Sequence, residues 1–161
     1  MYRFSSFGDF RCTKCGAFVT SAHQFSGVNN RNHCPYCLWS SHLDLYTSGD
    51  RLSACKGPMK PIGLTMKKSR NKYRPESSGE LMMIHECIEC TAISINRIAA
   101  DDDTDSAFIV FRESLIMLHR LHRLCKPYEI VPLDHRDLET VETQLYGRNT
   151  IRSSLMWEAT P

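Results

Sequence analysis

Apolar and polar positions along this chain form short runs in the first hundred residues and longer periodic stretches after them. Ala17-Phe18-Val19-Thr20, Leu43-Asp44-Leu45-Tyr46 and Ala92-Ile93-Ser94-Ile95 have β character and are bounded by Gly, Pro, Asn or Ser, which predicts short strands. From Ser106 the pattern changes. Ile109, Leu115, Ile116, Leu118 and Leu121 recur at helical spacing, with Asp101, Asp102, Asp103 and Asp105 ahead of them and Arg120, Arg123 and Lys126 at the far end, the favourable order for the helix dipole. Pro127 stops this helix, and Tyr128-Glu129-Ile130-Val131 reads as extended. A second helix is expected from Asp134 as N-cap to Gly147 as the residue beyond its end, with Leu138, Val141, Leu145 and Tyr146 on one face.

Composition narrows the class. The chain has 161 residues, 42% hydrophobic and 24% charged, which suits a folded domain of ordinary size and excludes a disordered or low-complexity polymer. No secretory leader pattern opens it and no run of about 18 apolar residues occurs, so neither a signal peptide nor a membrane span is expected, and the expected compartment is reducing cytoplasm. The formal charge of +2 conceals two unlike halves. Residues 1–80 carry 12 Lys/Arg against 5 Asp/Glu, and residues 81–161 carry 8 against 13.

Eight cysteines are the chemical signal. Cys12-x2-Cys15 and Cys34-x2-Cys37 are separated by 18 residues, the spacing of a four-thiolate zinc site in which two tight turns converge on one ion. Cys87-x2-Cys90 offers two further thiolates, and Cys55 is the unpaired cysteine of the same region. The expected second set is His42, Cys55, Cys87 and Cys90, brought together by a turn around Ser48-Gly49-Asp50. His85, two residues before Cys87 on one strand face, is the alternate ligand. Two zinc ions are thus expected. His33 is read as a donor to a thiolate or carbonyl as readily as a ligand, and Cys125 as a small buried or surface thiol.

The run Arg31-Asn32-His33-Cys34-Pro35-Tyr36-Cys37-Leu38-Trp39-Ser40 continues through His42-Leu43-Asp44, Gly49-Asp50-Arg51, Cys55, Gly57, Met59 and Pro61-Ile62. With His85-x-Cys87-x2-Cys90 and Asn96-Arg97-Ile98-Ala99 to Asp101-Asp102, it resembles the RNHCP domain family over about the first hundred residues. The resemblance implies zinc binding through the cysteines and carries no settled activity. One departure is local: the family often has Gly after the third pair, where this chain has Thr91.

The expectation is an α+β protein: a β-rich, zinc-ribbon-like domain with two zinc sites over residues 1–100 and a two-helix extension over 101–161. Four protein ligands at each metal leave no position for substrate, and no phosphate-binding or nucleophile motif is present, so a non-catalytic zinc protein is expected. RNA or a ribonucleoprotein is the expected partner. Lys67, Lys68, Arg70, Lys72 and Arg74, with Tyr73 among them, suit phosphates and a stacked base, and Arg11, Lys14 and Arg31 flank the knuckles. The alternatives are a protein-interaction scaffold, using Phe108, Ile109, Phe111, Leu115 and Leu118, and a magnesium-dependent nuclease centred on Asp101, Asp102, Asp103 and Asp105 with His33 or His85. No small-molecule substrate is expected.

Overall fold

The computed structural model describes residues 8–67 and 79–147. Strands β1 (Phe10–Arg11) and β2 (Phe18–Val19) pair antiparallel across the first cysteine turn, and a single helical turn, α1 (His23–Ser26), ends at Gly27. Strands β3 (Ser40–Ser41), β4 (Pro58–Lys67), β5 (Glu80–Cys87) and β6 (Ile93–Arg97) then form one antiparallel sheet in that spatial order. Helices α2 (Thr104–Ile116), α3 (Leu118–Cys125) and α4 (Leu138–Tyr146) follow. The fold is mixed α+β, with a cysteine-rich sheet first and a helical C-terminal region after it.

The long β4–β5 pairing is the main element that periodicity does not announce. Strand β4 carries Pro58, Pro61 and Gly63, residues that argue against a strand, and its register against β5 shifts between Pro61 and Gly63. Strand β5 is buried continuously from Leu81 to His85, so it lacks the alternation of a half-exposed strand. Gly63 has a packing reason. A Cβ there would lie 2.7 Å from Leu121 Cδ2 and 3.3 Å from Ser114 Cβ, so glycine lets the helices lie close over the sheet.

The main core joins both parts of the chain. Leu38, Leu64, Leu81 and Met83 pack with Ala107, Phe111, Leu133 and Val141, and Ile84 and Ile93 pack with Leu121 and Cys125 in a second cluster. The helix face that meets the sheet matches the one read in the sequence only in part. Leu121 is buried and Leu115 packs on the core, but Ile109 and Ile116 are exposed, and Ala107, Phe111 and Ser114 are buried in their stead, because small side chains at 107 and 114 allow the closer approach. The expected continuous helix is broken at Met117 (φ −111°, ψ 24°). Ser114 Oγ donates to Phe111 O at 2.6 Å and Met117 N donates to Ser114 O, so the ladder tightens and the helix bends.

Two short extended segments read from the sequence are corrected. Residues 43–46 form no strand, because Asp50 takes the N–H groups of Leu45, Tyr46, Thr47 and Leu52, leaving them no ladder partners. Tyr128 closes a 3₁₀ turn started at Lys126, and Glu129 is left-handed, so only an isolated bridge between Thr65 and Pro132 remains there. The second helix starts later than expected. Asp134 accepts from Arg136 N and forms a capping box with Asp137, but that box caps a 3₁₀ turn over His135–Asp137. Helix α4 follows at Leu138, with Asp137 ahead of it making no side-chain cap bond, and Gly147 ends it with φ 83°. None of the helices among the described residues is long and apolar enough to cross a membrane.

Candidate metal centres

The chain builds the same knuckle three times. In each, the first cysteine's N–H donates to the carbonyl five residues on, and the residue after the second cysteine donates back to the first cysteine's carbonyl. The pairs are Cys12 N to Ala17 O with Gly16 N to Cys12 O, Cys34 N to Trp39 O with Leu38 N to Cys34 O, and Cys87 N to Ala92 O with Thr91 N to Cys87 O, all at 2.8–2.9 Å. The residue after the second cysteine is left-handed in every case: Gly16 (φ 76°), Leu38 (φ 60°) and Thr91 (φ 61°). Lys56, which follows Cys55, is left-handed too (φ 54°). The turn therefore needs a conformation that glycine adopts freely and Thr91 adopts under strain.

The first two knuckles face each other and bring together Cys12, Cys15, Cys34 and Cys37. Cys12 and Cys37 approach to 3.6 Å between sulfurs, as do Cys15 and Cys34. The third knuckle meets His42 and Cys55, with Cys55 Sγ 3.7 Å from Cys87 Sγ and Cys90 Sγ 3.2 Å from His42 Nδ1. Within each set, all four ligand atoms lie within 4.8 Å of one another. Four sulfurs bound at about 2.3 Å around a tetrahedral ion stand about 3.8 Å apart, so both clusters fit a metal ion held by four protein ligands. These are the two sets expected from spacing.

Burial sets the electrostatics of the first cluster. At Cys12, burial alone raises the pKa, but the N–H groups of Cys15 and Lys14 and the neighbouring thiols outweigh it and bring the value to about 7. Lys14 N donates to Cys12 Sγ at 3.4 Å. Burial pushes the Cys34 and Cys37 thiols up. A cation at the centre would offset that penalty and hold the set as thiolates. Cys87 repeats the behaviour of Cys12: burial opposes ionisation, and the N–H groups of Cys90 and Glu89 win. Lys14 Nζ lies 4.4 Å from the Trp39 ring centroid, a cation–π contact that ties the first knuckle to the residues following the second.

His85 is not a member of either cluster. It is fully buried, its Nε2 lies 2.8 Å from Leu38 O, and its Nδ1 lies 2.9 Å from Asn96 Nδ2. Both ring nitrogens are engaged away from the cysteines, and desolvation lowers its pKa to about 3. Cys125 is buried among Ile84, Ile93 and Leu121, and burial raises its thiol to about 11.

The Arg31-Asn32-His33-Cys34-Pro35 run gives every residue a distinct structural task. Arg31 has a fully buried side chain, Nη1 2.8 Å from Asp101 Oδ2 and Nη2 3.3 Å from Asp102 Oδ1, while its Nε donates to His33 O. This corrects its expected place on a phosphate-binding surface. Asn32 donates to Asp44 and accepts from Arg51, holding the turn between His42 and Cys55, and Asp44 also accepts from Gly49 N and Arg51 N. His33 Nε2 lies 2.7 Å from Asp102 Oδ2, which also accepts from Ala99 N. Cys34 belongs to the first cluster, and Pro35 O accepts from Asp103 N.

The carboxylates offered to a magnesium-dependent centre therefore do not converge. Asp101 and Asp102 hold Arg31, Asp103 caps α2 through Ser106 N, and Asp105 accepts from Tyr146 Oη. The sequence reading missed this network because it treated the acidic run as a solvated helix start. The sign that points to it is an arginine beside the second cysteine pair in a region that ends on two adjacent aspartates. Of the expected nucleic-acid contacts, Lys67 is the exposed last residue of β4, while Lys68, Arg70, Lys72, Tyr73 and Arg74 lie outside the described residues.

Comparison with curated proteins and with solved structures finds no match. Residues 7–108 match the RNHCP domain, a span that takes in all eight clustered ligands and the aspartate pair gripped by Arg31, and the chain belongs to that family.

Proposed function

We propose that this protein is a non-catalytic zinc-binding module that holds two zinc ions and uses a basic surface to engage RNA or a ribonucleoprotein. The observation that carries the reading is the pair of four-ligand clusters, one of four cysteines and one of three cysteines and a histidine. Thiolate-rich sets of this kind select zinc, and a tetrahedral ion with four protein ligands is closed to substrate and serves the fold. A reducing cytoplasm keeps such thiols available.

Several features support RNA as the partner. Lys67 opens the basic segment that continues through Lys68, Arg70, Lys72, Tyr73 and Arg74 in the sequence. It lines a cleft of about 420 Å³ with Asn29, Asn30 and Ser48, side chains that suit ribose and base edges, beside Arg97, which pairs with Glu80 at 2.7 Å. Tyr36, at the tip of the second knuckle, is exposed and offers a ring for stacking. Exposed Ile109 and Ile116 on α2 favour the second reading, a protein-interaction scaffold.

Retention of RNA by the zinc-loaded chain at rising salt separates the two. RNA binding predicts retention that falls steeply with salt and is lost when Lys67, Lys68, Arg70, Lys72 and Arg74 are replaced by Gln. Absent or salt-independent retention overturns the RNA reading.

A further inference from the structure

We infer that His85 is a positioning residue that ties the two metal centres together, so that loading one raises the affinity of the other. The inference rests on the reading of both clusters as metal sites. The centres already share a short piece of chain: Cys37 belongs to the first and His42 to the second, and β3 runs between them. Ser40 and Ser41 of β3 pair with Met59 and Pro58, just beyond Cys55, and Met59 in turn pairs with Cys87. His42 N donates to Gly57 O, and Ile88 N, inside the third knuckle, donates to Pro58 O. The end of the sheet is thus a single hydrogen-bonded unit that carries ligands of both centres.

His85 closes that unit from within. Asn96 Nδ2 carries only donor hydrogens and lies against Nδ1, so Nδ1 accepts, and the ring's one proton sits on Nε2 and is donated to Leu38 O. Leu38 is the left-handed residue of the second knuckle, and its N–H is already committed to Cys34 O. The bond from His85 therefore holds the knuckle's turning peptide in the conformation that aims Cys34 and Cys37 at the first centre. Two residues along β5 from His85 stands Cys87, whose position His85 fixes through the same strand.

The consequence is reciprocal. When the first centre lacks its ion, the second knuckle is free to relax and Leu38 O leaves its place. The His85 Nε2–H then loses its acceptor in a buried site, a cost that β5 relieves by shifting and taking Cys87 with it. An ion at the second centre fixes β5 and presents His85 to Leu38 O, which pre-forms the first. Couplings of this kind run from roughly 5-fold to 150-fold in affinity, and the effect is equal in both directions.

Zinc titration of the reduced, metal-free full chain, with native mass spectrometry counting ions per molecule, tests the proposal. The expected result is a jump from zero to two ions with little of the one-ion species. His85→Leu should make the one-ion species prominent at half-saturation, and His85→Gln, whose amide can both donate and accept, should restore the jump. Asn96→Ala, at a half-buried and less demanding position, should move populations in the same direction as His85→Leu. A prominent one-ion species in the unaltered chain overturns the coupling, and an unchanged jump in both His85→Leu and Asn96→Ala overturns the role of His85. Saturation at a single ion overturns the two-centre reading itself.

Discussion

The left-handed residue that closes each knuckle allows the strain of a turn to be measured at constant hydrogen bonding. Thr91 (φ 61°) is exposed, and its backbone is fixed by the bonds from Thr91 N to Cys87 O and from Cys87 N to Ala92 O. Holding an L-residue left-handed costs about 1–2 kcal/mol, and β-branched residues resist it most. Replacing threonine by glycine removes that cost but adds about 0.5–1 kcal/mol of chain entropy to the unfolded state. Thr91→Gly should therefore stabilise the protein by about 0.5–1 kcal/mol net. Gly16→Thr performs the reverse change at φ 76°, where an added Cβ meets nothing within 4 Å, so it should destabilise by a similar amount through backbone conformation alone. Leu38→Gly has the same backbone (φ 60°) but empties a fully buried site, so it should cost about 2–4 kcal/mol despite the relieved strain. The assay is urea unfolding at a fixed free zinc concentration, because any ion bound only to the folded state adds to the apparent stability. A destabilised Thr91→Gly, or a Gly16→Thr indistinguishable from the unaltered chain, would refute the argument that this turn is strained by its side chain.

Two further comparisons test the interior. Asp102→Ala leaves Arg31 buried with half its counter-charge and strands Ala99 N and His33 Nε2, so it should cost about 3–5 kcal/mol in denaturant unfolding. Asp101→Ala, whose carboxylate is 31% exposed, should cost about 1 kcal/mol, and equal effects at the two positions would show that the network is not buried as described. Phe111→Ala should lose about 3–5 kcal/mol by leaving a cavity between α2 and β4, whereas Ile116→Ala on the exposed side of the same helix should change thermal stability by less than about 0.5 kcal/mol. A large loss at Ile116 would mean that the helix packs by the face its sequence suggests.

The metal clusters were legible because chemistry constrains them twice, in residue type and in spacing. Cys12, Cys15, Cys34 and Cys37 required only counting, and His42 and Cys55 followed from the turn signal between them. The hairpin of β4 and β5 was hidden because its residues serve packing rather than period: Pro61 and Gly63 look like breakers, and Leu81–His85 are buried on both faces. Helix α2 was legible as a helix but not in its orientation, since Ala107 and Ser114 mark the buried side by being small while Ile109 and Ile116 mark the exposed side by being large. Arg31 and His85 could not be read locally at all. Their partners stand 70 and 47 positions away, so only the distant aspartate pair hints that Arg31 is buried, and nothing flanking His85 distinguishes a bonded histidine from a ligand.

The distribution of the ligands along the chain also fixes the order in which they emerge during synthesis. The first cluster is complete once Cys37 has been made, from two knuckles joined by a short segment that holds β2 and α1, whereas the second waits for Cys90, 48 positions after His42. Closing the shorter loop costs less entropy. The nascent chain therefore presents a whole thiolate set before β4 or β5 exists, and Arg31 remains without its aspartates until residues 101 and 102 follow. The first ligand set is thus gathered before the sheet exists, its second knuckle gains the bond from His85 only when β5 follows, and the arrival of Asp102 closes the assembly after every ligand is in place.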